Sequence, residues 1–177
     1  MRRILATTVL AASALLLSGC VIMPELGGGS PAPSATVEAP RPSASGAPDA
    51  SDDCTGGTLT LNTPGNHVVG DCERLTIEGA GVKVKAGEIG TLIVRGTDND
   101  AEAESIGRIE ISGQNNDAES AAAVGSIAIA GDDNDIEVIG DIGAVVIAGN
   151  ENDISAAGRI GSVADNGSNN KVVGAQP

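Results

Sequence analysis

Three sets of side chains in this chain stand where they could do chemistry: the cysteines, the single histidine, and aspartates that recur at a fixed interval. The cysteines are Cys20, Cys54 and Cys72. A thiol can take a lipid, join another thiol or ligate a metal. Asp100, Asp117, Asp135 and Asp153 recur 17 or 18 residues apart. Carboxylates gathered by such a repeat could hold a hard cation, calcium above all. His67 has no nucleophile beside it that it could activate, and a lone histidine in a turn reads as a solvated side chain. There is no Gly-rich phosphate loop between a strand and a helix either.

Composition narrows the classes further. The chain has no Phe, Tyr or Trp. A polysaccharide-acting enzyme, the most distant reading considered, would lack the aromatic platforms that sugars stack on. Its many carboxylates are explained by repetition better than by a glycosidase pair. The reading is therefore not an enzyme. The formal net charge is −14, and loss of Arg2 and Arg3 with a leader would take it to about −16. Neutralising a nucleic-acid backbone needs clustered Lys and Arg, so DNA and RNA are excluded as partners.

The first residues read Met-Arg-Arg, then an apolar run through Leu15-Leu16-Leu17, then Ser18-Gly19-Cys20. A basic start, a short apolar stretch and small residues at its end make a secretory signal over 1–19. Leu17-Ser18-Gly19-Cys20 resembles the bacterial lipobox. That resemblance implies a diacylglyceryl group on Cys20, which becomes the new N-terminus, with further acylation by palmitate-type chains. Two or three chains anchor firmly where one is marginal. The expected location is the extracytoplasmic face of the bacterial cell membrane. Residues 20–52 then read as a lipidated cysteine followed by a Pro/Ala/Ser-rich linker, too poor in apolar side chains to fold. In an exported chain the remaining pair, Cys54 and Cys72, reads as a disulfide. Their separation of 18 matches the repeat period, so they stand about one rung apart.

The repeat occupies 53–174. Gly79, Gly96, Gly113, Gly131, Gly149 and Gly167 follow one another at steps of 17 or 18. Three residues after them come Val82, then Asn99, Asn116, Asn134, Asn152 and Asn170. Extending the same spacing backwards puts Thr63 and Asn66 in a first copy, with His67 in its turn and Val68 facing inward. Apolar residues alternate between the turns, as in Ile127-Ala128-Ile129 and Ile136-Glu137-Val138, which is the signature of short strands with one buried face. One copy cannot bury its own face, so copies stack. The expected fold is all-β: a parallel β-helix, or β-solenoid, of about seven coils of 16–18 residues. Gly and Asn in the turns are read as positions needing positive φ.

Stacking makes each column of the repeat a surface feature. The asparagines become a ladder of side-chain hydrogen bonds, interrupted at Val82. Asp100, Asp117, Asp135 and Asp153 become an acidic ridge, either a solvated charged face or a calcium site; no other cofactor is implied. Ala128, Ala130, Val146 and Ala148 become a flat outward patch of small apolar residues, a candidate contact surface. Asp165 breaks an otherwise apolar column, and no cap is evident at the C-terminal coil, whose open edge suggests weak homodimerisation.

The Gly-x-x-Asn-x-Val/Ile rungs, the flanking cysteine pair and the lipobox together resemble a family of uncharacterised secreted actinobacterial lipoproteins with a domain of unknown function. The resemblance spans about residues 54–174 and implies an envelope location, with no activity and no catalytic residues. The expected function is a lipid-anchored envelope protein presenting a structural or interaction module to a protein or cell-wall partner. The alternative is a calcium-dependent, adhesin-like module.

Overall fold

The computed structural model describes residues 51–54 and 57–175. The expected signal sequence, Cys20 and the expected linker up to residue 50 lie outside the described residues.

The chain is a parallel β-solenoid of about seven stacked turns of ~17 residues. Its strands are β1 (Ser51–Asp52), β2 (Thr58–Leu61), β3 (Gly65–Val69), β4 (Cys72–Ile77), β5 (Val82–Val94), β6 (Asp100–Ile111), β7 (Asp117–Ser120), β8 (Val124–Ile129), β9 (Asp135–Val138), β10 (Ile142–Ile147), β11 (Asp153–Ala156), β12 (Ile160–Asp165) and β13 (Lys171–Val173). They form two ladders. One runs β2-β4-β5-β6-β8-β10-β12 and the other β1-β3-β5-β6-β7-β9-β11-β13. Strand begins at Ser51, two residues before the repeat's expected start.

Alternation creates the core. Leu75, Leu92, Ile109, Ile127 and Val145 stack in register, and each is at most 1% exposed. The column Leu61, Ile77, Val94, Ile111, Ile129 and Ile147 runs beside it. A narrow coil leaves little room in each layer, and aliphatic side chains fill it without any ring.

β5 and β6 belong to both ladders, and loop length explains why. Between the inward residues Ala103 and Ile106 lie two residues, whereas three lie between Ser120 and Val124 and three between Val138 and Ile142. The extra residue breaks each later coil into two separate strands and raises the period from 17 to 18.

The first coil departs from the expected register. Leu61 pairs with Ile77 and Gly65 with Val82, so three residues (62–64) connect what four (78–81) connect one coil later. The constant-spacing alignment missed this shorter Asn62-Thr63-Pro64 turn. A one-residue slip exchanges the two faces of a strand. Asn66 therefore stacks on Lys83, outside the ladder, and His67 pairs with Val84. Val68, expected inside, is 41% exposed. His67 lies in β3 and not in a turn, with a side chain only 13% exposed.

The turns also differ from expectation. Positive φ falls not on the recurring glycine but on the residue before the asparagine: Asp98, Asn115, Asp133, Glu151 and Asn169, at 54° to 58°. The glycine column answers to crowding. A Cβ on Gly131 would lie 1.6 Å from the carbonyl oxygen of Gly113 in the coil before.

Candidate functional site

The asparagine column is a continuous buried ladder. Asn99, Asn116, Asn134 and Asn152 are each at most 2% exposed. Asn116 Oδ1 accepts from the backbone N–H of Asn99 at 3.2 Å and from Asn99 Nδ2 at 2.9 Å. Asn134, Asn152 and Asn170 repeat the pattern, each accepting from the asparagine one coil earlier. Each Nδ2 also donates to a glycine carbonyl, as Asn134 does to Gly113 at 3.2 Å. The ladder begins where Val82 N–H donates to Asn99 Oδ1 at 2.9 Å. It satisfies turn amides that would otherwise be buried unpaired.

One position further on, the side chains turn outward. Asp100, Asp117, Asp135 and Asp153 stand in register on successive coils, with Lys83 at one end and Lys171 at the other. Two residues along, Glu102, Glu119 and Glu137 form a second column, headed by Lys85. The lysines neutralise the ends: Lys83 Nζ reaches Asp100 at 3.4 Å, Lys171 Nζ reaches Asp153 at 2.6 Å, and Lys85 Nζ reaches Glu102 at 2.7 Å. The hydrogen bond to Asp153, then its charge, raises Lys171 above the usual lysine range, and Glu102 does the same for Lys85. Asp117 sits between two like charges. Partial burial first, then Asp135 and Asp100, push its carboxyl above the ordinary value, against the opposing effect of Lys83.

A depression of about 200 Å³ lies among Asp100, Asp117, Glu119, Asp135 and Glu137. In-register stacking lines these carboxylates up without focusing them. Among the described residues, no group of three or more His, Cys, Asp or Glu side chains converges to hold a metal ion.

On the other ladder, Val146 stacks between Ala128 and Ala164 and is 47% exposed. Ala130 and Ala148 are exposed beside it, and Ala128 is half-buried. Earlier coils of this face are charged, with Arg95–Glu78 and Arg108–Glu110 ion pairs at 2.9 and 2.7 Å. The small-residue area is thus confined to the later coils.

The ends of the solenoid hold one bond expected from the sequence and two contacts that the repeat did not announce. Cys54 and Cys72 are joined, with Cα atoms 5.5 Å apart, tying the entry of the chain to β4. His67 stands at the head of the inward column that continues as Val84, Ala101 and Ala118, and its ring meets Asp52 of β1. At the far end, Asp165 occupies the register position of Ile147 and accepts from Asn170 Nδ2 at 2.8 Å and Gly167 N–H at 2.9 Å. The C-terminal coil, expected to lack a cap, has a polar one. The signal for it was Asp165 itself, the only break in its column, five residues before the last ladder asparagine.

Fold and site together define a short, disulfide-stapled parallel β-solenoid with a buried asparagine ladder, one acidic face and polar ends. Compared with known proteins, the chain matches no family model, no curated protein and no solved structure.

Proposed function

We propose that this is a lipid-anchored cell-envelope protein whose β-solenoid serves as a structural or interaction module without catalysis. One observation carries the non-catalytic part. Three departures of the described coils from the repeat bring polar groups or thiols together, and each closes an end: Cys54 with Cys72, His67 with Asp52, Asp165 with Asn170. An active site grafted on a repeat would break the columns to gather a nucleophile, a base and charge-stabilising donors in one place.

The anchor rests on Leu17-Ser18-Gly19-Cys20 behind a basic and apolar leader. With it come the extracytoplasmic membrane location and the linker as a spacer. The family resemblance adds an envelope setting and nothing about activity. The patch of Ala130, Val146 and Ala148 is the surface we assign to a protein or cell-wall partner. The calcium-dependent reading takes second place: the aspartates share a register, but their ends are already neutralised by Lys83 and Lys171.

Expression in a bacterial host with labelled palmitate, followed by membrane fractionation, tests the anchor. The wild-type chain should carry label and sediment with membranes, and Cys20→Ser should do neither. Unlabelled wild-type protein, or Cys20→Ser retained equally well, rules the anchor out. For the module, Ala130→Arg with Ala148→Arg should keep the fold and lose partners recovered by crosslinking at the envelope. An unchanged crosslinking pattern removes that surface from consideration.

A further inference from the structure

The shortened first turn carries His67 into an inward column, where the next coils have Val84, Ala101 and Ala118. Among the described residues its ring faces two acceptors. Nδ1 meets the carboxylate of Asp52 on β1, and Nε2 lies 2.9 Å from the carbonyl oxygen of Thr63, in the turn before β3. A carbonyl oxygen only accepts, and an ionised carboxylate only accepts. Both contacts are hydrogen bonds when both ring nitrogens carry hydrogen, which is the imidazolium form. A neutral ring has one N–H and loses one of the two. The side chains of His67 and Asp52 are only 13% and 30% exposed, so water replaces a lost contact only in part.

Among the described residues, the other charged groups near the ring do not remove this dependence. Asp53 follows Asp52 in the entering segment. β5, beside β3, contributes Lys83 and Lys85, and β6 beyond it Asp100 and Glu102, all bordering one depression with His67. Each lysine is matched by its own carboxylate, Lys83 by Asp100 and Lys85 by Glu102. Asp71, at the end of the same coil, is turned away to the backbone N–H of Glu88.

Among the described residues β1 has little else to hold it: it is two residues long and pairs through Ser51 with Val68 and Asp52 with Val69. Cys54, two residues after Asp52, is tied to Cys72 and limits any loosening to the residues before it.

We propose that the His67–Asp52 pair is a proton-operated clasp: protonated, it fastens β1 onto the first coil, and deprotonated, it lets β1 go. The clasp binds a proton more tightly in the folded chain than in the unfolded one. Its contribution is complete below the unfolded titration of histidine, about pH 6.5, and is lost as pH rises through the folded midpoint. This inference stands apart from the lipid anchor and needs no partner.

Because His67 is the chain's single histidine, its ring signals are unambiguous in ¹⁵N-labelled full-length protein with the disulfide intact. At about pH 6 both ring nitrogens should carry protons, with a titration midpoint above that of the same chain in concentrated urea. In Asp52→Asn the midpoint should fall towards the unfolded one. Amides of residues 51–53 should exchange roughly tenfold faster above the midpoint than below it, after correction for base catalysis, while Asn116 and Asn134 stay unchanged. A single N–H in folded wild type at that pH, or a midpoint no higher than in urea, overturns the clasp; both are read without any variant. Exchange at 51–53 that ignores the midpoint overturns the release of β1.

Discussion

Asn170 Nδ2 donates to Asp165 Oδ1 at 2.8 Å, five residues back in its own coil, and the carboxylate stands where the ladder elsewhere presents the next asparagine's carbonyl. The ladder thus ends on an acceptor that the last coil supplies for itself. A carboxylate suits this place. It needs no donor beyond it, and its charge at an open strand edge discourages another chain from stacking there.

Asp165→Ile should therefore do two things. It continues the apolar column of Ile129 and Ile147 while leaving one N–H of Asn170 Nδ2 and the Gly167 N–H to water, the other N–H staying on the Gly149 carbonyl, at a cost of about 0.5–1 kcal/mol. It also makes the exposed end apolar beside Val163, already 49% exposed. Sedimentation velocity across a concentration series should show the variant associating more strongly than wild type. Identical sedimentation of the two would remove Asp165 as a guard of this end.

In the middle of the ladder the cost should be larger. Asn134→Ala leaves the N–H of Asn116 without its acceptor, leaves its Nδ2 only the Gly96 carbonyl, and takes a donor from Gly113 and Asn152, all in a buried layer. Urea unfolding should show a loss of about 2–4 kcal/mol. Asn134→Asp should be no milder at neutral pH, since a carboxylate cannot donate towards Asn152, and should recover in part as acid protonates it. A loss under about 1 kcal/mol for the alanine variant would show the ladder to be dispensable.

Two substitutions in the same turns should have opposite signs. Gly131→Ala places a methyl group against the Gly113 carbonyl, where the coils would have to part. We expect a loss of about 3 kcal/mol or more. Glu151→Gly removes a side chain from a φ of 57° and should stabilise by about 0.5–1 kcal/mol. Thermal melts of the pair decide it; equal effects would mean that turn geometry does not limit stability.

The acidic column predicts a pH dependence. Asp117 has its carboxyl raised by burial and by Asp135 and Asp100. A raised carboxylate opposes folding when ionised, and the opposition fades as pH falls through its folded value. Asp117→Asn should then add stability at neutral pH, by no more than a few tenths of a kcal/mol at this largely exposed site, and raise the melting temperature accordingly. The gain should vanish in acid. Calcium should stabilise no more than magnesium at equal ionic strength, because screening, not chelation, relieves the repulsion. A calcium-specific rise in melting temperature abolished by chelator would reverse the order of the two functional readings.

What the amino-acid order determined by itself is the repeat. Columns such as Ile109–Ile127–Val145 or Asn116–Asn134–Asn152 recur at one period, and a solenoid converts a period in sequence directly into a stack in space. The parallel pairing, the inward faces, the ladder and the aspartate register all follow from that one-dimensional rule, as does the pairing of Cys54 with Cys72. What only the tertiary structure decided lies where the period fails. The missing residue in the Asn62-Thr63-Pro64 turn shifts β3 by one, and a shift of one reverses which side chains are buried. So His67 goes in and Val68 out. Asp52 meets His67 only because the coil closes on itself, and Asp165 becomes a cap only because Gly167 and Asn170 of its own coil turn their donors to its carboxylate. These contacts depend on three-dimensional closure, which the spacing of residues along the chain does not encode.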